Sequence, residues 1–172
     1  NPGDVPFRCA SARAQLAFAA WLAQQPERLT QAVDYLAKAS DELLALERPL
    51  GEQPEYRQQL AQCCELLAAA RVGQKRFAEV LSLINRCHRP LRGEAEFEAQ
   101  SALALARCVA GLREDASQAA LQQDCSNRAM LLLLDAIDHG YADVVALVKE
   151  KDLQSLSDRE DFRKLIAALE EQ

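Results

Sequence analysis

The side chains best suited to chemistry in this 172-residue sequence are six cysteines and two histidines. A catalytic or metal-binding cysteine needs converging partners, which in a sequence usually means a CxxC pair or a nearby histidine. No CxxC spacing is present, and most of the cysteines stand among Ala and Leu, where a reduced thiol packs like a small apolar side chain. We therefore predict buried, reduced thiols and a reducing compartment. The positions are Cys9, Cys63, Cys64, Cys87, Cys108 and Cys125.

The two histidines complete neither a catalytic set nor a metal site. His88 directly follows Cys87, but neighbouring residues on a helix point about 100° apart, which is poor geometry for a base and its nucleophile. A structural zinc ion needs four converging ligands, and His139 is the one other imidazole. We therefore expect no catalytic residue, no metal ligand and no cofactor, and we predict that the chain is not an enzyme.

The composition predicts an all-α fold. The sequence has 31 Ala and 27 Leu but 8 Val, 3 Ile and one Thr; Ala and Leu favour helices, whereas β-branched residues favour strands. The net charge of −6 argues against nucleic acid or an anionic membrane as a partner, since both require clustered Lys and Arg. The apolar run 129–134 is far too short to span a bilayer. We expect a cytoplasmic protein.

Apolar residues recur three and four positions apart along most of the chain, which is typical of amphipathic helices. The predicted helical hairpins cover 8–47, 55–87 and 94–139, and a C-terminal cap covers 141–171. Breaks rich in Pro and Gly separate the hairpins at 48–54 and 88–93. We assign all of them to one domain, 1–172, because a single hairpin cannot bury both of its faces.

Local signals predict how several of these helices end and begin. Gly73 and Gly140 each follow an apolar stripe, where a glycine in the left-handed conformation commonly ends a helix. Ser157 with Glu160 three residues later matches a capping box, which predicts the start of the last helix. Residues 129–134 are apolar all round, so we expect neighbours to enclose that helix on several sides.

The central hairpin resembles a tetratricopeptide repeat. The small residues 66–70, the turn glycine Gly73 and the stripe over 77–84 correspond to that repeat's pattern. Residues 102–108 and 127–137 are similar to another repeat, with an insertion between its helices. The resemblance implies a right-handed α-α superhelix of about three to four degenerate tetratricopeptide-like hairpins, closed by a C-terminal capping helix.

The tail carries a second resemblance. Residues 136–144 and 152–165 resemble the segment that closes the repeat region of many bacterial serine/threonine protein kinases. This implies that the chain is the non-catalytic C-terminal part of such a kinase or of a relative. The sequence has no Gly-rich loop, no His-Arg-Asp and no Asp-Phe-Gly, so we do not expect phosphoryl transfer. Because the sequence begins without Met, we expect it to be a piece of a longer protein.

The tetratricopeptide resemblance also implies a concave groove that is lined by the first helix of each hairpin and binds a protein or peptide. The outward polar residues expected there are Arg13, Gln62, Arg71, Gln100 and Arg107. An Arg among them can form paired hydrogen bonds with a carboxylate, although each residue could equally be an ordinary solvated position. The predicted function is a protein-interaction scaffold. The alternative is a structural module that forms homo-oligomers and has no separate ligand.

Overall fold

The computed structural model describes residues 5–170, except for the side chains of Pro26 and Glu170. Within that range the chain is all-helical, with 82% helix and no strand, as the composition predicts. The α-helices are α1 (Val5–Leu22), α2 (Leu29–Leu44), α3 (Glu47–Leu50), α4 (Pro54–Gly73), α5 (Phe77–His88), α6 (Ala95–Leu112), α7 (Ala119–Asp138), α8 (Val144–Lys149) and α9 (Glu160–Glu170). Turns of 3-10 helix cover Pro26–Arg28, Ala116–Gln118 and Lys151–Leu156. None of the described helices is long and apolar enough to cross a membrane.

The helices form two compact units. The first contains the described part of Asn1–Gln74 together with Ser82–Arg92, and the second contains Lys75–Leu81 and the described part of Gly93–Gln172. The boundary falls inside α5, so the first residues of this helix belong to the second unit and its later residues to the first.

The first unit is organised around α2, which packs against α1 on one side and α4 on the other. Gln15 Nε2 of α1 donates a hydrogen bond of 3.1 Å to Glu42 Oε1 of α2. Tyr56 of α4 donates through its hydroxyl to the Leu43 carbonyl at 3.0 Å, and the Cys63 thiol donates to the Leu36 carbonyl at 3.3 Å. Because later residues of α4 meet earlier residues of α2, these two helices run antiparallel.

The later half of α5 packs antiparallel to α4 within the same unit. Arg57, near the start of α4, donates to the carbonyl oxygens of Pro90 and Arg92 at 2.9 Å each. About two turns further along α4, Cys64 forms a side-chain hydrogen bond with Cys87. These contacts pair α4 with the later half of α5.

The second unit is built on α6, which is buried along most of its length. The helix α7 packs against it, and so does the turn Lys151–Leu156. Ser155 Oγ of that turn donates to the Ala106 carbonyl at 2.8 Å. Gly111 of α6 lies against the ring of Phe77, and a Cβ at this glycine would be 2.5 Å from Phe77 Cζ. The glycine therefore allows a close approach that a larger residue would prevent.

Of the two glycines predicted to end helices, one does so and the other does not. Gly140 does end α7: its φ is 84°, and the amide of Tyr141 donates to the Ala136 carbonyl at 2.9 Å, as in a Schellman motif. The same prediction for Gly73 is wrong, because α4 continues through Gly73 and the left-handed residue is Lys75, with φ of 59°. The C-cap residue is Gln74 rather than Gly73, and the left-handed residue is the next one along the chain.

The capping box predicted at Ser157 is also wrong. Backbone hydrogen bonds of the 3-10 type continue beyond Leu156, the last residue of the 3-10 turn. The Ser157 amide donates to the Gln154 carbonyl, and the Arg159 amide donates to the Leu156 carbonyl. Helix α9 consequently begins at Glu160. The carboxylate of Asp161 then accepts a hydrogen bond from the Phe162 amide at 2.9 Å.

The apolar run 129–134 is not enclosed on all sides. Leu132 and Leu133 are fully buried, but Leu131 and Leu134 are exposed. The reason is that α6 covers one side of α7, so successive residues of the run turn from that contact towards solvent.

Candidate functional site

Helix α1 carries two apolar faces, and one of them is exposed. Phe7, Phe18 and Trp21 are 58%, 43% and 49% exposed. Their spacing of eleven and three residues places them on one side of a helix. The buried residues of α1 are Ala12, Leu16, Ala19 and Leu22, which face α2. An exposed face with three large rings is unusual, because apolar side chains of that size are generally withdrawn from water.

Two of the exposed rings, Phe18 and Trp21, contact each other, and Phe18 also contacts α2. The centroids of Phe18 and Trp21 are 5.7 Å apart in a stacked arrangement with an interplanar angle of 22°. Phe18 also meets Tyr35 of α2 edge-on, with 4.9 Å between centroids and an angle of 89°. Both geometries are favourable for aromatic pairs, so these contacts position Phe18 and Trp21 before any partner arrives.

Two cations lie over these rings. Arg28 Cζ is 5.9 Å from the centroid of Trp21, and Lys38 Nζ is 5.7 Å from that of Tyr35. Both distances are within the range of cation–π attraction. We call the surface made by Phe7, Phe18, Trp21, Arg28, Tyr35 and Lys38 the aromatic surface.

The residues predicted to bind a partner in the first unit lie on two helices. Arg13 is exposed on α1 and Gln62 is exposed on α4. Arg71, also on α4, is half-buried and lines a cleft of about 50 Å³ that also contains Asp41 and Arg86. Arg86 Nη2 forms an ion pair of 2.7 Å with Asp41 Oδ1 in this cleft. The cleft is too small for a ligand, so it is a packing feature of α2, α4 and α5.

The predicted residues of the second unit, both on α6, contact other parts of that unit. Gln100 Nε2 donates to Glu96 Oε1 at 3.0 Å within the helix. Arg107 Nε forms an ion pair of 2.6 Å with Asp152 Oδ2, which fastens the turn Lys151–Leu156 to α6. A role of either residue in binding stays a prediction.

Glu98, in the second unit, is a buried carboxylate that the sequence patterns did not reveal. Glu98 is fully buried and accepts a hydrogen bond of 3.0 Å from the Gly93 amide. His139 Nδ1 lies 2.7 Å from its other oxygen, where a protonated nitrogen donates to the carboxylate. Glu98 thus joins the end of α7 to the start of α6. Its register with Ala102 and Leu105, four and seven residues later on the buried face, is the signal that could have identified it.

Most of the cysteines are buried, as predicted. All six are free, five are buried, and Cys9 is half-buried. Burial raises the pKa of Cys63 to about 12. A hydrogen bond with Cys125, followed by burial, raises the pKa of Cys108. Thiols held protonated in this way are poor nucleophiles and poor metal ligands.

Comparison with known proteins adds no constraint. The chain matches no protein-family model, no curated protein and no solved structure. The candidate site is therefore defined by the chain's own geometry, in which the aromatic surface of α1 and α2 is the feature most suited to binding.

Proposed function

We propose that the chain is a protein-interaction scaffold and that its aromatic surface binds the partner. The observation that carries this proposal is the exposure of Phe7, Phe18 and Trp21 on one face of α1. Aromatic residues and Arg are enriched at protein interfaces, and Trp is over-represented among the residues that contribute most binding energy.

The order of the rings supports the same proposal. Trp21 is fixed between Phe18 and Arg28, and Phe18 also contacts Tyr35. A surface that is ordered in advance loses little side-chain entropy on binding. Each exposed ring also offers a large apolar area whose removal from water is favourable by roughly 25 cal/mol per Å².

The place of this scaffold in a larger protein is a further part of the proposal. The resemblance of 136–144 and 152–165 to bacterial serine/threonine kinases supports a role as the non-catalytic arm of a cytoplasmic signalling kinase or a relative. Arg13 is exposed on α1, the helix that carries Phe7, Phe18 and Trp21, so it is included among the proposed partner contacts. Gln62, Arg71, Gln100 and Arg107 remain proposed contacts of a tetratricopeptide-like groove.

The proposal can be tested by affinity capture from a native lysate with matched variants. Phe18→Glu/Trp21→Glu places two carboxylates in the aromatic surface, and Leu131→Glu is the control because Leu131 is an exposed apolar residue of α7. All three chains should give the same helical circular dichroism. We expect the double variant to lose the captured protein, with affinity lowered more than about tenfold, while the control retains it. Equal capture by the double variant would remove the aromatic surface from the site.

The competing function is self-association through the same surface, since a second copy could cover the rings equally well. Sedimentation analysis over a hundredfold range of concentration separates the two. A mass that rises with concentration in the original chain, and that falls to the monomer in Phe18→Glu/Trp21→Glu, would favour the structural module. A monomer at all concentrations favours the scaffold.

A further inference from the structure

The second unit contains an apolar cavity between α8 and α9 that no part of the proposed function uses. Its volume is about 340 Å³, which is within the range of about 300–1,000 Å³ typical of small-molecule sites. The lining residues are Val145, Val148, Lys149, Phe162, Ile166 and Leu169.

The cavity wall is mainly hydrocarbon, since five of its six lining residues are apolar. Phe162 is buried, Val148 and Ile166 are half-buried, and Val145 is exposed. The cavity therefore runs from the surface inward to the Phe162 ring, and a ligand would be partly enclosed by aliphatic side chains. Apolar walls of this kind favour a hydrocarbon chain over a polar ligand, because a buried polar group without a hydrogen-bond partner is costly.

One side chain of the lining is charged. Lys149 is the basic residue in the last turn of α8 and is exposed. Among the side chains described, it has no hydrogen bond and no ion pair. Lys164 of α9 differs in this respect, since its ammonium is 2.7 Å from Glu160 Oε1. The Lys149 ammonium is thus available to an anion whose apolar part lies in the cavity.

We propose that this cavity binds an aliphatic carboxylate, such as a medium-chain fatty acid. The hydrocarbon chain occupies the space between Val145, Phe162 and Ile166, and the carboxylate pairs with Lys149. An ammonium and a carboxylate attract each other, and the exposed position lets both remain partly hydrated. This inference is independent of the aromatic surface, because it concerns different helices and a different ligand.

Calorimetric titration with dodecanoate, below the concentration at which it forms micelles, tests the proposal. We expect one equivalent to bind. Ile166→Trp fills the cavity and should weaken binding at least tenfold, whereas Leu134→Trp, which adds the same ring at an exposed position of α7, should leave it unchanged. Lys149→Gln should weaken binding about two- to fivefold, the effect of an exposed ion pair, and Lys151→Gln should not.

Titration with the neutral analogue 1-dodecanol tests whether the carboxylate of the ligand contributes to binding. It should bind the original chain about as weakly as dodecanoate binds Lys149→Gln, since both lack the ion pair. The proposal is overturned if dodecanoate does not bind, if its affinity survives Ile166→Trp, or if Lys149→Gln and Lys151→Gln are indistinguishable. The lysine variants keep the test decisive even if Ile166→Trp fails to fold, because both lysines are exposed.

Discussion

At the scale of single residues, burial disfavours the thiolate form of the buried cysteines. Cys63 illustrates this, because its thiol is enclosed, donates to the Leu36 carbonyl and has its pKa raised to about 12. Glu98 is buried just as fully, and its two carboxyl oxygens contact the Gly93 amide and His139 Nδ1. Cys63 therefore contributes to packing, and Glu98 connects the end of α7 to the start of α6.

Thiol labelling should reflect this burial. With a maleimide at pH 7.5, we expect Cys9 to react first and the five buried thiols to react only on unfolding. The reason is that a thiol must be both accessible and deprotonated to react, and Cys63 is neither. Intact-mass measurement should show one label on the native chain and none on Cys9→Ser. Rapid addition of a second label to the native chain would contradict the burial described above.

At the scale of helices and turns, the sequence predicted the all-helical class. The spacing of Leu60, Leu67 and Ile84 identified both helices of the central hairpin, because apolar periodicity is a local property. The prediction placed the left-handed residue after α4 at the wrong position. Tertiary packing decides how far the helix extends, and this extent decides which residue follows its C-cap. Lys75 occupies that position although Gly73 has the lower local cost.

The candidate site was harder to predict than the helices. Phe7, Phe18 and Trp21 are in phase along α1, but so are the residues of its opposite face. Periodicity shows that a helix has apolar residues, while exposure depends on which neighbours cover each face. Tyr35 and Lys38 join the aromatic surface from α2 through contacts that no spacing within one helix reveals.

Two glycines in helices should respond oppositely to alanine. A Cβ at Gly111 would meet the Phe77 ring, whereas a Cβ at Gly73 has no atom within 4 Å. We expect Gly111→Ala to lower the free energy of unfolding by about 1–3 kcal/mol and Gly73→Ala to raise it by about 0.4–1 kcal/mol. Urea unfolding followed by circular dichroism measures both. Stabilisation by Gly111→Ala equal to that of Gly73→Ala would show that the Phe77 ring moves aside freely.

At the scale of the whole molecule, the notable feature is that α5 belongs to both compact units. A helix is cooperative along its length, because each turn depends on the hydrogen bonds of the next. Disturbance of one unit is therefore expected to reach the other through this helix.

A core substitution in the second unit tests that coupling. Leu105 of α6 is fully buried, and Leu105→Ala should cost about 2–5 kcal/mol of stability. Hydrogen exchange followed by mass spectrometry should then show faster exchange in α4 of the first unit as well as in α6 and α7. The exposed Leu131→Ala should change neither. Faster exchange confined to the second unit would mean that the two units open independently.

The aromatic surface also contains the one tryptophan of the chain. Trp21 is half exposed, stacks on Phe18 and lies beneath Arg28. Its indole emission therefore comes from the proposed binding surface and from nowhere else in the sequence. A partner that covers the ring should shift this emission to shorter wavelength as water is displaced, so the unlabelled protein carries its own optical reporter of occupancy.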